Sequence, residues 1–597
     1  MTKDVLKEST IEKIFKLAIE NHQKNNLEVA EDLYNQVLKI DSNNIGAINN
    51  LGVLFKSLGD NQKAKDYYEK AIVINPSHTD SLNNLGGMLQ KLGEDKKAKD
   101  CYEKVIAIDP GHVNAQNNLG SIFLKLTEYQ KAKDCYEKAV EIDPNHADAL
   151  NNLGTVFIKL GEYQKAKDCY EKAVEIDPNF TDAFNNLGVM AQDLGEYQKA
   201  KIFYEKAIII NPNYINSLNN LGVLHQVLGD YDKSEIFLKR VLKINPNLFD
   251  TQKNSAVNAV YKLDNFEKAI NESNKALKIY HHNSKFANQS VNLFRLKHDV
   301  EQAKYLAQSG GFWKFFKSKT YKINGIDEFQ KIGDEILSRK DNKDNKEHKE
   351  ILLTPDEVDA LLPFYKSDYT YQTKTISGSC INPNKNWLEV EDEYLNSEKQ
   401  IMYIDNFLSD EALIELREFC LVSKVWNKEY QNKYLGAFSD AGFISPLQLQ
   451  IAVDLKKKLP KLFGPHRVGK FWGFKYDATL GGGINIHADF AIHNLNFWIT
   501  PDEFNNNKNS GGLKVYDAPA PEHWTFKDYN QDNRKIYEFL EKNNAKCTNI
   551  PYKFNRAVLF NSAYFHKTDE IDFKDEYKGR RINNTYLFGS RLVKDSN

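Results

Sequence analysis

The first half of the chain repeats itself every 34 residues, and this period limits the possible folds more than any other feature. Asn-Leu-Gly recurs at Asn50, Asn84, Asn118, Asn152, Asn186 and Asn220, and a proline keeps the same step at Pro76, Pro110, Pro144, Pro178, Pro212 and Pro246. Between them stand an alanine (Ala64, Ala98, Ala132) and, four residues on, an aromatic (Tyr68, Tyr102, Tyr136). A unit of this size cannot bury an apolar face alone, so neighbouring units must stack. Small Gly and Ala let two helices approach closely, Leu and Tyr fill the space between them, and Pro ends the second helix. Weaker copies over about 10–43 and 248–281 carry Ser42 and Tyr280 at the proline position and read as degenerate ends.

Six copies of this pattern resemble the tetratricopeptide (TPR) family. The resemblance implies an N-terminal α-solenoid over residues 8–284, with about eight units whose first helices line a concave wall. Asn50, Asn84, Asn118, Asn152, Asn186 and Asn220 fall on those first helices. Each amide both donates and accepts, so a column of them suits the main chain of an extended polypeptide. Long superhelices of this family with a similar ladder hold peptides in that way. A helix-packing role for the same asparagines is the alternative.

From 285 to 350 the period is lost. A helical stretch from Phe286, a Gly310-Gly311 break and the aromatics Phe312, Trp313, Phe315 and Phe316 read as a cap with core packing. Ser338–Glu350 is charged and lacks apolar residues, as a solvated linker does. At 597 residues the chain is too long for one core. A formal net charge of −2 gives no global pull toward nucleic acid or anionic lipid. No stretch of 18 apolar residues occurs, and Met1–Glu20 lacks the apolar core of a secretory signal. Cys101, Cys135 and Cys169 are copies of one repeat position rather than a disulfide framework. These features predict a cytoplasmic protein with no membrane and no nucleic-acid partner.

From about Ile351 aromatic and β-branched runs alternate with Gly and Asn turns. Met402 opens a short strand, Ser409 caps a helix over roughly 410–420, and further strands are expected at Lys470–Tyr476, Ile484–Phe490, Leu495–Thr500, Leu513–Tyr516, Ala557–Phe560 and Asn583–Phe588. One of them carries His487-Ala488-Asp489, and His566 follows 77 residues after Asp489. Residues i and i+2 of an extended segment point to the same side, so His487 and Asp489 can grip one metal. Two histidines and one carboxylate are the donor set of a non-haem Fe(II) site with open positions.

The ordered set of pieces resembles the prolyl-hydroxylase-type branch of the 2-oxoglutarate/Fe(II)-dependent oxygenases, over roughly residues 400–592. Met402–Leu413 resembles the first strand and helix, and Tyr476 the tyrosine upstream of the metal motif. His487-Ala488-Asp489 matches HxD, Gly511-Gly512-Leu513 the paired glycine before a core strand, Arg556–Asn561 the strand leading to the distal His566, and Gly579-Arg580-Arg581-Ile582-Asn583 the closing Gly-x-Arg-x-Ser. The resemblance implies a double-stranded β-helix (jelly-roll or cupin-like) over 351–597. It also implies His487, Asp489 and His566 as catalytic metal ligands, and Fe(II), 2-oxoglutarate and O2 as cofactors, with ascorbate as reductant. The far carboxylate of 2-oxoglutarate needs a fixed cation, and a planar guanidinium suits it best. Adjacent strand residues face opposite sides, so either Arg581, which matches the family position, or Arg580 points inward. Tyr476 and Asn583 belong to the same implied cofactor-binding set.

His493 fits no family position and reads as a surface or supporting residue. His523 lies in an insertion, Asp517–Asn549, that is a surface loop or a wall of the substrate site. Gly481-Gly482-Gly483 lacks a following Lys-Ser/Thr and reads as a turn, and no HExxH is present. The expected activity is hydroxylation of a C–H bond on a protein or peptide held by the TPR groove, or on a small molecule. The rivals are a non-catalytic TPR scaffold with a degenerate barrel and a cupin-type enzyme with another divalent metal.

Overall fold

The computed structural model describes residues 2–263, 265–282, 290–308, 326–339, 350–366, 370–371, 373–430, 434–477, 479–480, 483–522, 524 and 526–590. The Gly310-Gly311 break, the aromatics Phe312–Phe316, most of the charged linker, Gly481, Gly482 and His523 lie outside them. By contact the chain divides into two compact units, Met1–Asn220 and Leu221–Asn597. Among the described residues no helix is long and apolar enough to cross a membrane.

Among the described residues, sixteen helices run from Thr2–Gln23 to Phe266–His282. In the first unit they pair as the repeat requires. Helix Val113–Lys125 packs on helix Tyr129–Ile142, which buries Ala132, Tyr136 and Ala139 on one face. The glycine of Asn-Leu-Gly is needed for close approach: a Cβ on Gly120 would lie 2.8 Å from the Tyr136 ring, inside any real contact distance. His112 starts the first helix of this unit by accepting from the Ala115 amide at 3.1 Å.

The second unit begins with the last repeat helices. After them β1 (Ser290–Asn292) pairs with β2 (Glu350–Leu352), beside helices Leu293–Gln308, Ile326–Ser338 and Pro355–Lys366. The remaining strands are β3 (Ile401–Ile404), β4 (Lys428–Tyr430), β5 (Tyr434–Phe438), β6 (Val468–Tyr476), β7 (Thr479–Leu480), β8 (His493–Trp498), β9 (Leu513–Pro519), β10 (Cys547–Ile550), β11 (Ala557–Asn561), β12 (Tyr564–Thr568), β13 (Ile571–Asp572) and β14 (Ile582–Phe588). They form an antiparallel seven-stranded sheet, β3-β11-β8-β14-β6-β5-β4, a three-stranded sheet, β10-β9-β12, and a short pair, β13-β7. One face of the large sheet buries Leu435, Phe471, Leu495, Phe497, Leu559 and Tyr586 against helices Asp410–Val422 and Pro446–Lys458. Its other face shares a core with the small sheet, in which Tyr434, Phe474 and Trp498 meet Leu513, Val515 and Ile550.

Two local expectations need correction. Among the described residues, 484–490 form no regular strand; their one pairing is an antiparallel bridge, His487 to His566, because the next amides bond elsewhere, Ala488 N to Tyr529 O and Asp489 N to Ser562 O. The insertion is not a plain loop. It leaves β9 and returns along β10, which pairs antiparallel with β9, and carries helices Phe526–Asn530 and Asn533–Lys542 between them. Ser409 caps its helix as expected, accepting from Ala412 N at 3.3 Å.

Candidate metal centre

The bridge that replaces the expected strand builds the site. His487 N donates to His566 O at 3.0 Å and His566 N donates back to His487 O at 2.8 Å, so the two histidines stand opposite each other. Their ring centroids are 4.3 Å apart. Asp489 N donates to Ser562 O at 3.0 Å, which anchors the carboxylate's backbone to the turn before β12. One ligand atom each from His487, Asp489 and His566 lies within 4.8 Å of the other two.

Both imidazoles are oriented by the backbone two residues before them. His487 Nδ1–H donates to Asn485 O at 2.8 Å, and His566 Nδ1–H donates to Tyr564 O at 3.1 Å. That leaves both Nε2 lone pairs for the shared point, the arrangement that a carbonyl accepting from Nδ1–H imposes on a metal-ligating histidine. Asp489 Oδ1 is 3.9 Å from His487 Nε2 and Oδ2 is 3.5 Å from His566 Nε2. Burial pushes His566 down to about 4, with His487 adding to the effect and Asp489 opposing it, so the ring is neutral at physiological pH, as a ligand must be.

The adjacent arginines part company. Arg580 Nη2 reaches Glu301 Oε2 at 2.6 Å and Asp477 Oδ1 at 3.7 Å, outside the cavity. Arg581 turns the other way and lines the cavity with the three candidate ligands. It is 1 % exposed, and its hydrogen-bond partners are neutral oxygens: Gly511 O at 2.6 Å, Gly512 O at 3.4 Å and Asn583 Oδ1 at 3.5 Å. The paired glycines supply these carbonyls because the chain must pass close there. Gly511 has φ +78°, and a Cβ on Gly512 would sit 1.9 Å from Ile550 O. Arg581 also lies over the Tyr476 ring at 4.8 Å, and the buried Tyr476 hydroxyl interacts with the Thr568 and Arg581 side chains. Burial raises the Tyr476 pKa, which keeps the phenol a neutral donor.

The cavity holds about 390 Å³ between the two sheets. Its walls differ. Tyr430, Tyr434, Phe438, Trp472 and Phe474 give an aromatic side on β4–β6, with Tyr430 and Tyr434 stacked at 4.5 Å. Asn494, Asn496, Asn583 and Thr585 give a polar side on β8 and β14. Asn530 of the insertion also lines the cavity, and Ala488 N, between two ligands, donates to Tyr529 O at 3.0 Å. The sequence reading missed Asn494, Asn530 and the aromatic wall, although the alternation Trp472, Phe474, Tyr476 on one strand face was visible. His493 does not reach the cavity; its ring packs 5.2 Å from His466 and 5.9 Å from Tyr394.

In the first unit the six asparagines are half-buried and linked. Asn84, Asn118, Asn152, Asn186 and Asn220 each donate Nδ2 to the asparagine 35 residues earlier, at 2.9–3.2 Å. One N–H of each of these five amides thus joins neighbouring repeats, as the packing alternative requires.

Tetratricopeptide-repeat family models match residues 46–78, 78–145 and 111–179, and one described as the CABIN1 N-terminal domain matches 147–248. The chain carries tetratricopeptide repeats. No curated protein matches it. Among solved structures it is similar to PilF of Pseudomonas aeruginosa at 23% identity, over 35% of this chain and 95% of that one, with a TM-score of 0.32. A tetratricopeptide repeat protein of Parabacteroides merdae shares 17% identity over 41% and 97% of the two chains, with a TM-score of 0.35. YrrB, described as a TPR protein with an unusual peptide-binding site, shares 24% over 31% and 95%, with a TM-score of 0.26.

Proposed function

We propose that the second unit contains a double-stranded β-helix that works as a 2-oxoglutarate- and Fe(II)-dependent dioxygenase, hydroxylating a C–H bond on a protein or peptide, and that the repeats hold that polypeptide. The observation that carries this reading is one cavity lined both by a two-histidine, one-carboxylate set and by a buried guanidinium bonded to neutral oxygens.

The residues fit the absent groups. Two imidazoles and a carboxylate suit Fe(II) and leave positions open. Burial works against the Arg581 cation, and a bound carboxylate would relieve it. A cupin-type isomerase has no use for such an anchor. When bound, the metal and co-substrate would supply oxidation of the target C–H bond to C–OH by O2, with the second oxygen atom passing into succinate as 2-oxoglutarate loses CO2, and with ascorbate as reductant. His487, Asp489 and His566 hold the metal. Arg581 receives the far carboxylate, the Tyr476 hydroxyl donates to it, and Asn583 steadies the guanidinium. The aromatic wall excludes water and takes the apolar part of the target. Asn50, Asn84, Asn118, Asn152, Asn186 and Asn220 offer their remaining amide groups to an extended main chain. The six free cysteines fit a reducing cytoplasm.

The test is succinate formation from 2-oxoglutarate by the full chain. It should require Fe(II) and vanish in His487→Ala. Arg581→Gln should raise the 2-oxoglutarate concentration needed by about tenfold or more, while Arg580→Gln should leave it unchanged. Binding of both metal and 2-oxoglutarate without turnover would favour the non-catalytic scaffold. Replacing Asn118, Asn152 and Asn186 by Ala together should abolish polypeptide capture; capture at wild-type strength would end the peptide-holding role.

A further inference from the structure

We propose that Asn494 is a positioning residue: its amide N–H holds Asp489 to one-oxygen coordination, and its carbonyl oxygen accepts from a water or substrate N–H at the adjoining open position. The inference rests on the metal-centre reading above. Asn494 lies on β8, is fully buried and lines the cavity. Its Nδ2 donates to Asp489 Oδ2 at 2.6 Å. The amide cannot be turned over, because that would set its oxygen against a carboxylate oxygen at the same distance.

Asp489 needs such restraint. Its two oxygens lie 3.9 and 3.5 Å from the two imidazole nitrogens, so both are within reach of an ion at the shared point. A carboxylate bound through both would fill a fourth octahedral position. A chelating keto acid takes two, and O2 then has none. A short bond from Asn494 to Oδ2 competes with the metal for that oxygen and favours binding through Oδ1 alone.

The other half of the amide points to a ligand. Asn494 Oδ1 is buried and has no hydrogen-bond partner among the described residues. Asn496, Asn583 and Thr585 on the same cavity wall are engaged with one another. Asn496 donates to Thr585 Oγ1 at 3.0 Å, and Asn583 donates to Asn496 Oδ1 at 3.4 Å. A buried acceptor without a donor calls for one from outside the chain.

The experiment counts waters on Mn(II) bound to the full-length protein, by proton relaxation and by EPR in 17O-water, and measures 2-oxoglutarate binding to the same sample. The wild type should show about three exchangeable waters. Asn494→Leu, which keeps the volume and removes both polar atoms, should show about two and bind 2-oxoglutarate about tenfold more weakly. Asn494→Asp keeps the shape without the donor and should shift in the same direction if the leucine variant fails to fold. Variants with the wild-type water count and 2-oxoglutarate affinity would overturn the role of Asn494 and leave the metal centre standing. A wild-type chain that takes up no Mn(II) would bring down both.

Discussion

Lys475 is the least comfortable residue in the second unit. It alternates with Phe474 and Tyr476 on β6, so its side chain leaves the cavity and enters the opposite core. The ammonium is fully buried without a hydrogen-bond partner among the described residues, 3.7 Å from the Tyr577 ring centre. Burial, and after it Arg580, pushes its pKa well below the usual lysine value. An unfolded chain binds the proton up to about 10.4, the folded one does not, so this group's contribution to stability rises with pH over that window. Lys475→Met should therefore stabilise the protein by about 2 kcal/mol near neutral pH. Its advantage over the wild type should shrink as pH rises from 7 toward 10, measured by urea unfolding. A variant less stable than wild type at every pH would refute the argument. Nothing in the sequence marked this lysine, because a strand residue's second face is known only once a helix covers it. The candidate triad was legible because His487 and Asp489 share one i, i+2 step. The choice between Arg580 and Arg581 was not, since alternation separates them without saying which side is the cavity.

At the scale of the element, the repeats were legible because a 34-residue period reports packing directly. The glycine is the clearest case, and two glycines make opposite predictions. Gly87 and Gly120 both lie inside first helices. A Cβ at Gly87 meets only the Tyr102 hydroxyl at 3.7 Å, whereas one at Gly120 strikes the Tyr136 ring. Alanine gains about 1 kcal/mol of helix propensity at either site, and overpacking costs about 1–3 kcal/mol at Gly120 alone. Gly87→Ala should raise the thermal unfolding midpoint of the helical signal at 222 nm, and Gly120→Ala should lower it. Equal shifts would mean that Tyr136 moves freely. The strands were read less evenly. β6, β8, β11 and β14 are rich in aromatic and aliphatic residues, and their expected ranges agree with the structure within two residues. The segment holding His487 alternates too, yet a ladder needs a partner along its length, and β12 offers it only one bridge.

Across the whole molecule, texture and contact draw different lines. Composition changes near Ile351, where helical repeats and charged linker give way to strands, but the core of the second unit reaches back into the last repeats. One continuous cluster runs from Ala259, Val260 and Leu277 to Ile582, Tyr586 and Phe588. Ser273 Oγ donates to Ser439 O and accepts from Gly442 N, each at 2.8 Å. Gly442, at φ +94°, admits Leu277 where a Cβ would lie 2.5 Å from its side chain. The Arg467 guanidinium lies over the Tyr231 ring at 4.5 Å. Ser439, Gly442 and Arg467 carry no periodic signal, so no reading of repeats or strands alone could join them to the repeat helices. A fragment begun at Ile351 strips the Leu277 side of that core, where removing one buried leucine typically costs about 2–5 kcal/mol, against a total stability of about 5–15 kcal/mol for a domain. A fragment begun at Asn213 retains it. The shorter fragment should aggregate or unfold far below the longer one in a thermal melt followed by tryptophan fluorescence, and should lose Mn(II) binding with its fold. If both fragments melt together and bind metal alike, the last repeats only rest against the strand-rich half and contribute nothing to its core.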